Sequence, residues 1–449
     1  MQWLTLALTL VAMALLQRLT RNSGGGGPLE ARATLALGFL VLAAHLGGAL
    51  AQRLRLPRIT GFLITGFVVG PAWLGLVRPD EIGALSAFST GALALIAFGA
   101  GSEVKLTALR DERMAMLRIA AGAIAIPFAA VALVVLTVSP WFPLTAHQPF
   151  RDAVTVALVL GAVAAVSSPT LTWALMTDVG ASPRGPFART ILSVSVVQDV
   201  VAVLLMVLLL ALAPFLANAG AATPGMAGGV ALQLVGSLAA GVLLGAAIAQ
   251  YAKVVRRRYL VLVLVAVAFV VVQAVRLIGF EAVLIALAAG CTLENAFPLE
   301  AERLKAELKR CALPVYVVFF ALAGSGLQLG SLAGMWPWAL LLAALRITGL
   351  RAGLRWAGRD PAVSPTFVTY GWLGLVSQGG LAVTLAVILR RAFPEWNVSL
   401  ESLLMAMIGV QQVVGPVCLQ WALRITGEVS EDVHVAERTA VVVPGSGGM

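Results

Sequence analysis

The stretch GAVAAVSSPT, at residues 161–170, places a proline and three hydroxyl side chains in the middle of a long hydrophobic segment. Because Pro169 lacks a backbone donor and its ring clashes with the preceding turn, the stretch predicts an interrupted helix. A second hydrophobic segment contains GWLGLVSQGG, at residues 371–380, a polar and glycine-rich interruption near its middle. Each stretch alone is also compatible with a kinked helix that serves only packing.

The pairing of these two interruptions carries more information than either one alone. They lie in the sixth and the thirteenth of fourteen hydrophobic segments, so the two helices cross a membrane in opposite directions. We therefore predict an inverted repeat, in which segments two to seven correspond to segments nine to fourteen and segment eight is a linker. Discontinuous helices at matching positions of two halves indicate a transport site, since helix ends carry partial charges and unpaired backbone groups.

The composition of the chain indicates a membrane protein. Of its 449 residues 60% are hydrophobic and 12% are charged, whereas soluble domains are about 45–50% apolar and about 25% charged. The mean hydropathy is +0.96. Long continuous apolar runs predict an all-α polytopic membrane protein rather than the short alternating strands of a barrel. The net charge of +10 comes from residues in short loops, and we expect no nucleic-acid partner.

Fourteen segments approach the length of about 20 residues that a membrane-spanning helix needs. They lie at residues 1–16, 33–50, 59–77, 82–101, 116–138, 152–176, 187–213, 229–252, 259–277, 280–294, 313–332, 335–357, 364–390 and 402–425. The first is also compatible with a signal peptide, but it lacks the usual basic start, and we interpret it as a spanning or half-inserted helix. Residues 1–32 then form an extra hydrophobic segment followed by a flexible glycine-rich linker.

Basic residues predict the orientation in the membrane. The loops after even-numbered segments hold twenty Lys and Arg residues, and the loops after odd-numbered segments hold eight. By the positive-inside rule, the even loops and the C-terminus are expected on the cytoplasmic side. The stretch from Glu300 to Leu313 has polar and apolar residues at helical spacing, which predicts a connector along the cytoplasmic surface. Residues 427–449 are predicted to be a disordered tail.

Two charged residues are predicted to lie deep in the membrane. Asp199 is at the centre of the seventh segment, next to Gln198 and one helical turn after Ser195. An intramembrane aspartate costs at least about 2.5 kcal/mol, so we interpret it as functional, with a structural hydrogen-bonded aspartate as the alternative. Arg346 is about 11 residues from either end of the twelfth segment, roughly 16 Å at the helical rise. That depth disfavours the alternative of a side chain that snorkels to the interface.

Several motifs between residues 33 and 425 resemble those of the monovalent cation:proton antiporter superfamily, in particular its second family, which includes sodium/proton exchangers and Kef-type potassium-efflux antiporters. The stretch PRITGFLITGFVVGP at residues 57–71 resembles the first long signature of that family, and FGAGSEV at residues 98–104 resembles its Phe-x-x-Gly-Leu-Glu-Leu motif. SSPT at residues 167–170 and QGG at 378–380 resemble the motifs of the family's two crossing helices. QD at 198–199 resembles the motif of the partner helix, and RITG at 346–349 resembles a Lys-x-x-Gly stretch with Arg for Lys.

The resemblance implies thirteen helices in a dimer domain and a mobile core, with the extra first segment as a departure. It assigns residues 33–105 and 259–332 to the dimer domain, 112–216 and 335–426 to the core transport domain, and 229–252 to a linker helix. It also implies a homodimer among the lipids of a bacterial inner membrane. No counterpart of the Kef-type nucleotide-binding domain is expected after the last helix.

The implied activity is exchange of K⁺ or Na⁺ for a proton, with both ions competing for deprotonated Asp199. The expected cation- and proton-binding residues are Asp199, Gln198, Ser167, Ser168, Thr170 and Ser195; the expected helix breaks are at Pro169, Ser377, Gln378, Gly379 and Gly380; and Arg346 is the expected counter-charge. Gln198 is similar to the Kef-type arrangement, which favours potassium. Glu281 departs from the small or polar residue that the family has at this position.

Three other functions stay open at this point. A sodium-coupled organic-anion symporter shares the inverted crossing-helix plan, but it is expected to lack a lone aspartate at the membrane centre. A membrane-embedded enzyme needs clustered His, Asp or Glu, and the three histidines do not cluster, so we expect no enzyme. A channel-like or scaffold protein is the third. The three cysteines, Cys291, Cys311 and Cys418, lie far apart and are interpreted as packing residues, and no cofactor is expected.

Overall fold

The structure is a computed structural model that describes residues 29–107, 113–181, 185–216, 224–256, 259–326, 335–393 and 397–429. The predicted first segment at residues 1–16, the glycine-rich linker and residues 430–449 of the predicted tail lie outside these ranges. Within them the regular structure is helical, apart from one isolated backbone bridge between Ala181 and Val429.

Sixteen helices follow one another in the described residues. They are α1 (Leu29–Arg53), α2 (Arg58–Val69), α3 (Pro79–Ala84), α4 (Ser86–Gly101), α5 (Arg113–Thr137), α6 (Phe150–Ala164), α7 (Pro169–Asp178), α8 (Pro186–Leu216), α9 (Pro224–Val254), α10 (Leu260–Ile278), α11 (Ala282–Ala296), α12 (Pro298–Ser325), α13 (Trp336–Ala357), α14 (Pro365–Gly374), α15 (Gly380–Ala392) and α16 (Asn397–Ile425). Seven helical stretches among them are long and apolar enough to cross a membrane. The chain is thus an integral membrane protein of the predicted all-α class.

The two discontinuous helices form as predicted. Helix α6 ends at Ala164 and α7 begins at Pro169, while α14 ends at Gly374 and α15 begins at Gly380. Pro169 occupies the first position of α7, where the N–H group that it lacks would have no helical partner. The hydroxyl of Ser168 accepts a hydrogen bond from the N–H of Leu171 at 3.2 Å and so caps the same helix.

Helix packing follows the predicted inverted repeat. In the repeat, each segment of the first half corresponds to the segment seven positions later, so the third corresponds to the tenth and the fourth to the eleventh. A contact between the third and eleventh segments therefore predicts an equivalent contact between the tenth and fourth. Both contacts are present, as α2 against α12 and α11 against α4, and the fifth and twelfth segments meet as α5 against α13. At the first contact, a Cβ atom on Gly324 would overlap the carbonyl oxygen of Leu63, so glycine is what permits the close approach.

The helices form two sets that pack mainly within themselves. Helices α1, α2, α4, α10, α11 and α12 make up the first set, and α5 to α8 with α13 to α16 make up the second. Helix α7 also packs against α4 of the first set, and α9 packs against α11 and α8. The two sets correspond in residue range to the predicted dimer domain and core transport domain. The functional meaning of that division stays a prediction.

The predicted surface connector is wrong. Residues Pro298–Ser325 form one continuous helix, and in its polar first half Lys305 is only 5% exposed. The Lys305 ammonium lies 2.8 Å from the Glu294 carboxylate and 3.1 Å from that of Glu302. Lys305 in this half of the helix is therefore buried against carboxylates of the protein, because ion pairs allow a charged side chain to be buried there.

The folded part of the chain extends further than predicted at its C-terminal end. The Glu428 carboxylate accepts hydrogen bonds from the backbone N–H groups of Phe187 and Ala188, each at 2.8 Å. These two residues lie in the first turn of α8, where N–H groups have no helical partner and the helix dipole favours a negative charge. The prediction that disorder begins at residue 427 is therefore wrong for residues 427–429.

Candidate ion-binding site

The two helix breaks lie against each other and are joined by hydrogen bonds. The backbone N–H of Ser168 donates to the carbonyl oxygen of Ser377 at 2.9 Å, and the Ser167 hydroxyl donates to that of Leu375 at 2.7 Å. In the opposite direction, the Gln378 amide donates to the carbonyl oxygen of Val163 at 2.7 Å. Each break thus supplies partners for backbone groups that the other leaves unpaired.

The crossing brings together helix ends of opposite polarity. The carbonyl ends of α6 and α14 carry partial negative charge, and the N–H ends of α7 and α15 carry partial positive charge. The second break must come very close to the first at Gly379, where a Cβ atom would overlap the hydroxyl oxygen of Ser168. This close approach explains why glycine is present at the start of α15.

Arg346, on α13, neutralises the negative side of the crossing and is 0% exposed. Its guanidinium donates to carbonyl oxygens of both breaks, at 2.9 Å for Ala164, 2.5 Å for Val166, 2.9 Å for Leu375 and 2.7 Å for Val376. It also donates to the Ser167 hydroxyl at 3.0 Å and to the Gln411 side-chain oxygen at 2.5 Å. Because a guanidinium has five N–H donors, these acceptors engage all of them.

Asp199, on α8, carries the opposite charge to Arg346, and its side chain, unlike that of Arg346, makes no hydrogen bond among the described residues. It is 2% exposed, and neither carboxylate oxygen has a hydrogen-bond partner among the described residues. Its neighbour Gln198 is held firmly, since the amide donates to the carbonyl oxygens of Ala165 at 3.0 Å and Ala123 at 3.2 Å. A buried carboxylate without a partner is strongly unfavourable, so Asp199 requires either a proton or a cation.

Other unpaired oxygens lie on the same elements. The side-chain oxygens of Gln198, Ser377 and Gln378 have no hydrogen-bond partner among the described residues. The hydroxyls of Ser168 and Thr170 are 2.9 Å apart and share one hydrogen bond, so lone pairs remain on them. Buried acceptors of this kind are normally satisfied, and oxygen ligands are those that coordinate alkali cations in selectivity filters.

The structure places most of the predicted site residues in one network. Ser167, Ser168, Ser377, Gln378 and Arg346 are connected directly at the crossing. Ser195 differs, because its hydroxyl donates to the carbonyl oxygen of Ile191 on its own helix at 2.9 Å. The carbonyl of Ala123, which holds Gln198, was not predicted, since a backbone acceptor leaves no trace in a side-chain pattern.

Comparison with protein families gives one match that covers most of the chain. Residues 41–424 match the family described as sodium/hydrogen exchanger, transmembrane. Two curated relatives from Bacillus cereus match shorter stretches. The Na(+)/H(+)-K(+) antiporter GerN is 37% identical over 92 residues, 20% of this chain and 23% of GerN. The probable Na(+)/H(+) antiporter GerT is 29% identical over 167 residues, 37% of this chain and 40% of GerT. The matched stretches span less than half of either relative.

Solved structures share the fold. The sodium proton antiporter MjNhaP1 from Methanocaldococcus jannaschii at pH 8 superimposes with a TM-score of 0.64, over 90% of this chain and 99% of the other, at 16% sequence identity. An electron-microscopy structure of the same antiporter gives a TM-score of 0.68, over 89% and 98% of the two chains, also at 16% identity. The chain therefore shares the overall fold of that antiporter over about nine-tenths of its length, in agreement with the predicted fold class.

Proposed function

Because the chain belongs to the sodium/hydrogen exchanger family, we propose that it exchanges a monovalent cation for a proton across a membrane by alternating access. The observation that carries the proposal is Asp199, a buried carboxylate with no hydrogen-bond partner among the described residues, on a helix that packs against both discontinuous helices. A group in this situation can be satisfied by one proton or by one monovalent cation, and antiport requires such a choice.

The proposed mechanism is competition at a single carboxylate. When the O–H bond of Asp199 breaks and its proton leaves to water on one side, the carboxylate binds a dehydrated K⁺ or Na⁺. The unpaired oxygens of Gln198 and Ser377 and the hydroxyls of Ser168 and Thr170 are the proposed neutral ligands. A proton arriving from the other side re-forms the O–H bond and removes the charge that holds the cation.

Arg346 has a positioning role in this proposal. Its guanidinium neutralises the carbonyl ends of α6 and α14, so the two breaks can cross without repulsion between those ends. Since these bonds occupy its donors, Arg346 has none left for a substrate. The proposed result is a rigid crossing whose remaining acceptors are directed toward the cation.

Alternating access requires one set of helices to move against the other. We propose that α5 to α8 and α13 to α16 carry the ion as the core, while the first set forms the interface of a homodimer. The distribution of basic loops supports a cytoplasmic C-terminus, and a bacterial inner membrane is the proposed location. Gln198 beside Asp199, and the potassium in the description of GerN, support K⁺ as a substrate in addition to Na⁺.

The experiment that tests the proposal is cation-dependent collapse of a pH gradient in proteoliposomes. Vesicles with an acidic lumen and an entrapped pH dye receive NaCl, KCl, LiCl or choline chloride outside. Alkalinisation of the lumen with an alkali salt, and none with choline, is expected for the wild type and not for Asp199→Asn. Equal signals from wild-type vesicles with all four salts, or from protein-free vesicles, would refute the antiport proposal. The same assay separates antiport from an anion symporter, an enzyme and a scaffold.

A further inference from the structure

A cavity of about 430 Å³ lies between the two sets of helices. Helices α4 and α12 and the start of α11 border it on one side, and α15 and α16 border it on the other. Its polar lining consists of Ser89, Thr90, Glu281, Thr384 and Gln412. Since one water molecule takes up about 30 Å³ of liquid, the cavity has room for on the order of ten waters, enough for a hydrated cation.

Glu281 is the acidic residue of this lining. Its backbone N–H donates to the Ser237 hydroxyl at 2.7 Å, which anchors the residue to α9. Thr384, on α15 of the second set, lines the same cavity. Glu281 thus lies at the gap across which the two sets are proposed to move.

Capping of α11 does not account for this glutamate. The carboxylate accepts a hydrogen bond from the N–H of Val283, but at 3.4 Å this bond is at the upper limit of length. Ser, Thr, Asp and Asn are the residues that cap helices well. One long bond leaves lone pairs free on a group that has about four acceptor positions.

Within the described part of the chain, no ion pair compensates the charge of Glu281. Among the residues whose side chains are described, no lysine or arginine forms a salt bridge with it. A carboxylate at the edge of a cavity that has room for several waters attracts a cation into it, because focused negative potential raises the local concentration of cations.

The lining matches the chemistry of an alkali cation. It offers one carboxylate, three hydroxyls and one amide oxygen, and hard monovalent cations are coordinated by oxygens and selected by rings of acidic side chains. Its size suits an ion that keeps part of its hydration shell. The site at Asp199 differs, since its carboxylate is 2% exposed and requires a dehydrated ion.

We infer that this cavity is a second binding site for the monovalent cation, where Glu281 holds the partly hydrated ion before it moves on to Asp199. The inference rests on the proposed antiport. It assigns the site to the membrane face at which α11 begins and α12 ends, the face predicted to be external by the distribution of basic loops. Glu281 then increases cation capture from that face only.

The test is sided transport kinetics of Glu281→Gln, a variant of the same shape without the charge. Exchange is measured in oriented proteoliposomes while NaCl or KCl is varied on one face at a time. We expect the half-saturating concentration on the cavity face to rise about tenfold, the equivalent of about 1.4 kcal/mol, and to stay within about twofold on the other face. Asp80→Asn is the matched control, because it removes an exposed carboxylate near the same face, outside the cavity.

The outcomes separate the two proposals. Wild-type protein without cation-dependent exchange refutes the antiport itself. Wild-type exchange with the same sided constants for Glu281→Gln and Asp80→Asn refutes the second site and leaves the antiport standing. If Glu281→Gln does not elute as a folded protein in gel filtration, Thr384→Val carries the test: a sided increase of about threefold supports the site, and unchanged constants refute it.

Discussion

The backbone N–H of Ser168 donates to the carbonyl oxygen of Ser377 at 2.9 Å, so the two helix breaks are bonded directly to each other. Because the donor and the acceptor come from opposite halves of the inverted repeat, neither half can form this arrangement alone. In the proposed transport cycle, the crossing is therefore expected to move as one body.

The first prediction concerns Asp199. Asp199→Asn is expected to abolish cation-dependent proton exchange, since an amide neither releases a proton nor supplies a charge for the cation. The melting temperature of the purified variant should equal or exceed that of the wild type, because a buried charge without a partner is removed. Ser195→Ala, one turn away on α8, is the control and should retain exchange. Wild-type rates in a folded Asp199→Asn protein would contradict the prediction.

The second prediction concerns Arg346. Arg346→Ala removes the guanidinium that donates to four backbone carbonyl oxygens and to the Gln411 oxygen, and each buried acceptor that is left without another donor costs about 1–3 kcal/mol. A large decrease in melting temperature is expected. Arg346→Lys retains the charge but not the fork of donors, so it should be intermediate in stability and partly active. An Arg346→Ala protein that melts with the wild type would show that the guanidinium is not needed to hold the crossing.

The third prediction is electroneutral transport, one cation for one proton. Asp199 can hold either one proton or one monovalent cation. Its neighbour Gln198 is an amide and supplies no second carboxylate. Glu281 passes the ion on and therefore adds no charge to the cycle. Recordings on a supported membrane should show no steady current, with valinomycin setting the voltage in sodium runs and a protonophore in potassium runs. A steady current that reverses with voltage would implicate Glu281 as a second proton carrier.

The fourth prediction concerns the pH dependence of stability. Burial raises the pKa of Glu103 above its ordinary value, although the ammonium groups of Lys305 and Lys309 act in the opposite direction and the carboxylates of Glu294 and Glu302 add to the rise. A carboxyl whose pKa is higher in the folded state binds more protons there than in the unfolded state. Its stabilisation is present below the unfolded pKa, about 4.3, and is lost as the pH rises through the raised folded value.

Melting temperatures measured at steps from acidic to neutral pH check this expectation. Between the unfolded pKa and the raised folded pKa, the melting temperature of the wild type should fall by more than that of Glu103→Gln, whose side chain does not titrate. Glu401→Gln serves as a control at a position far from this cluster. Parallel curves for the wild type and Glu103→Gln would show that Glu103 does not contribute.

The fifth prediction concerns the buried ion pair at the start of α12. Lys305→Met removes the ammonium that lies 2.8 Å from Glu294 and leaves a buried carboxylate behind. A loss of about 3–5 kcal/mol is expected, seen as a lower melting temperature. In the double variant Lys305→Met with Glu294→Gln most of this loss should disappear, since the carboxylate closest to the lost ammonium is neutralised as well. Equal melting temperatures of the single and double variants would disprove the pairing.

Much of the fold could be predicted because bilayer constraints act locally on the chain. Pro169 and Gly379-Gly380 indicate their own helix breaks, and an apolar run of sufficient length must be a helix wherever it packs. The connector over residues 300–313 could not be predicted in the same way. Polar residues at this spacing can face either water or buried partners. The partners of Lys305 here, the carboxylates of Glu294 and Glu103, come from other parts of the chain.

The candidate site likewise has features that could be predicted from the sequence and others that could not. Asp199 and Arg346 stand out in the sequence because a charge in an apolar helix is expensive wherever its partner lies. The sequence does not reveal that Arg346 is fully bonded to both breaks while Asp199 is bonded to nothing among the described residues. It also leaves Glu281 uninterpreted, because its meaning depends on Thr384 and Gln412, which face it across a cavity.

The sequence by itself thus determined the membrane class, the inverted repeat, the two helix breaks and the two deep charges. These features depend on the composition, on short-range backbone chemistry and on the spacing of segments. Only the tertiary structure decided which charge is satisfied and which is left free for an ion, and where a second carboxylate meets the cavity. Such contacts join residues that are far apart in the chain, and their free energy depends on distance and burial, which the order of residues does not contain.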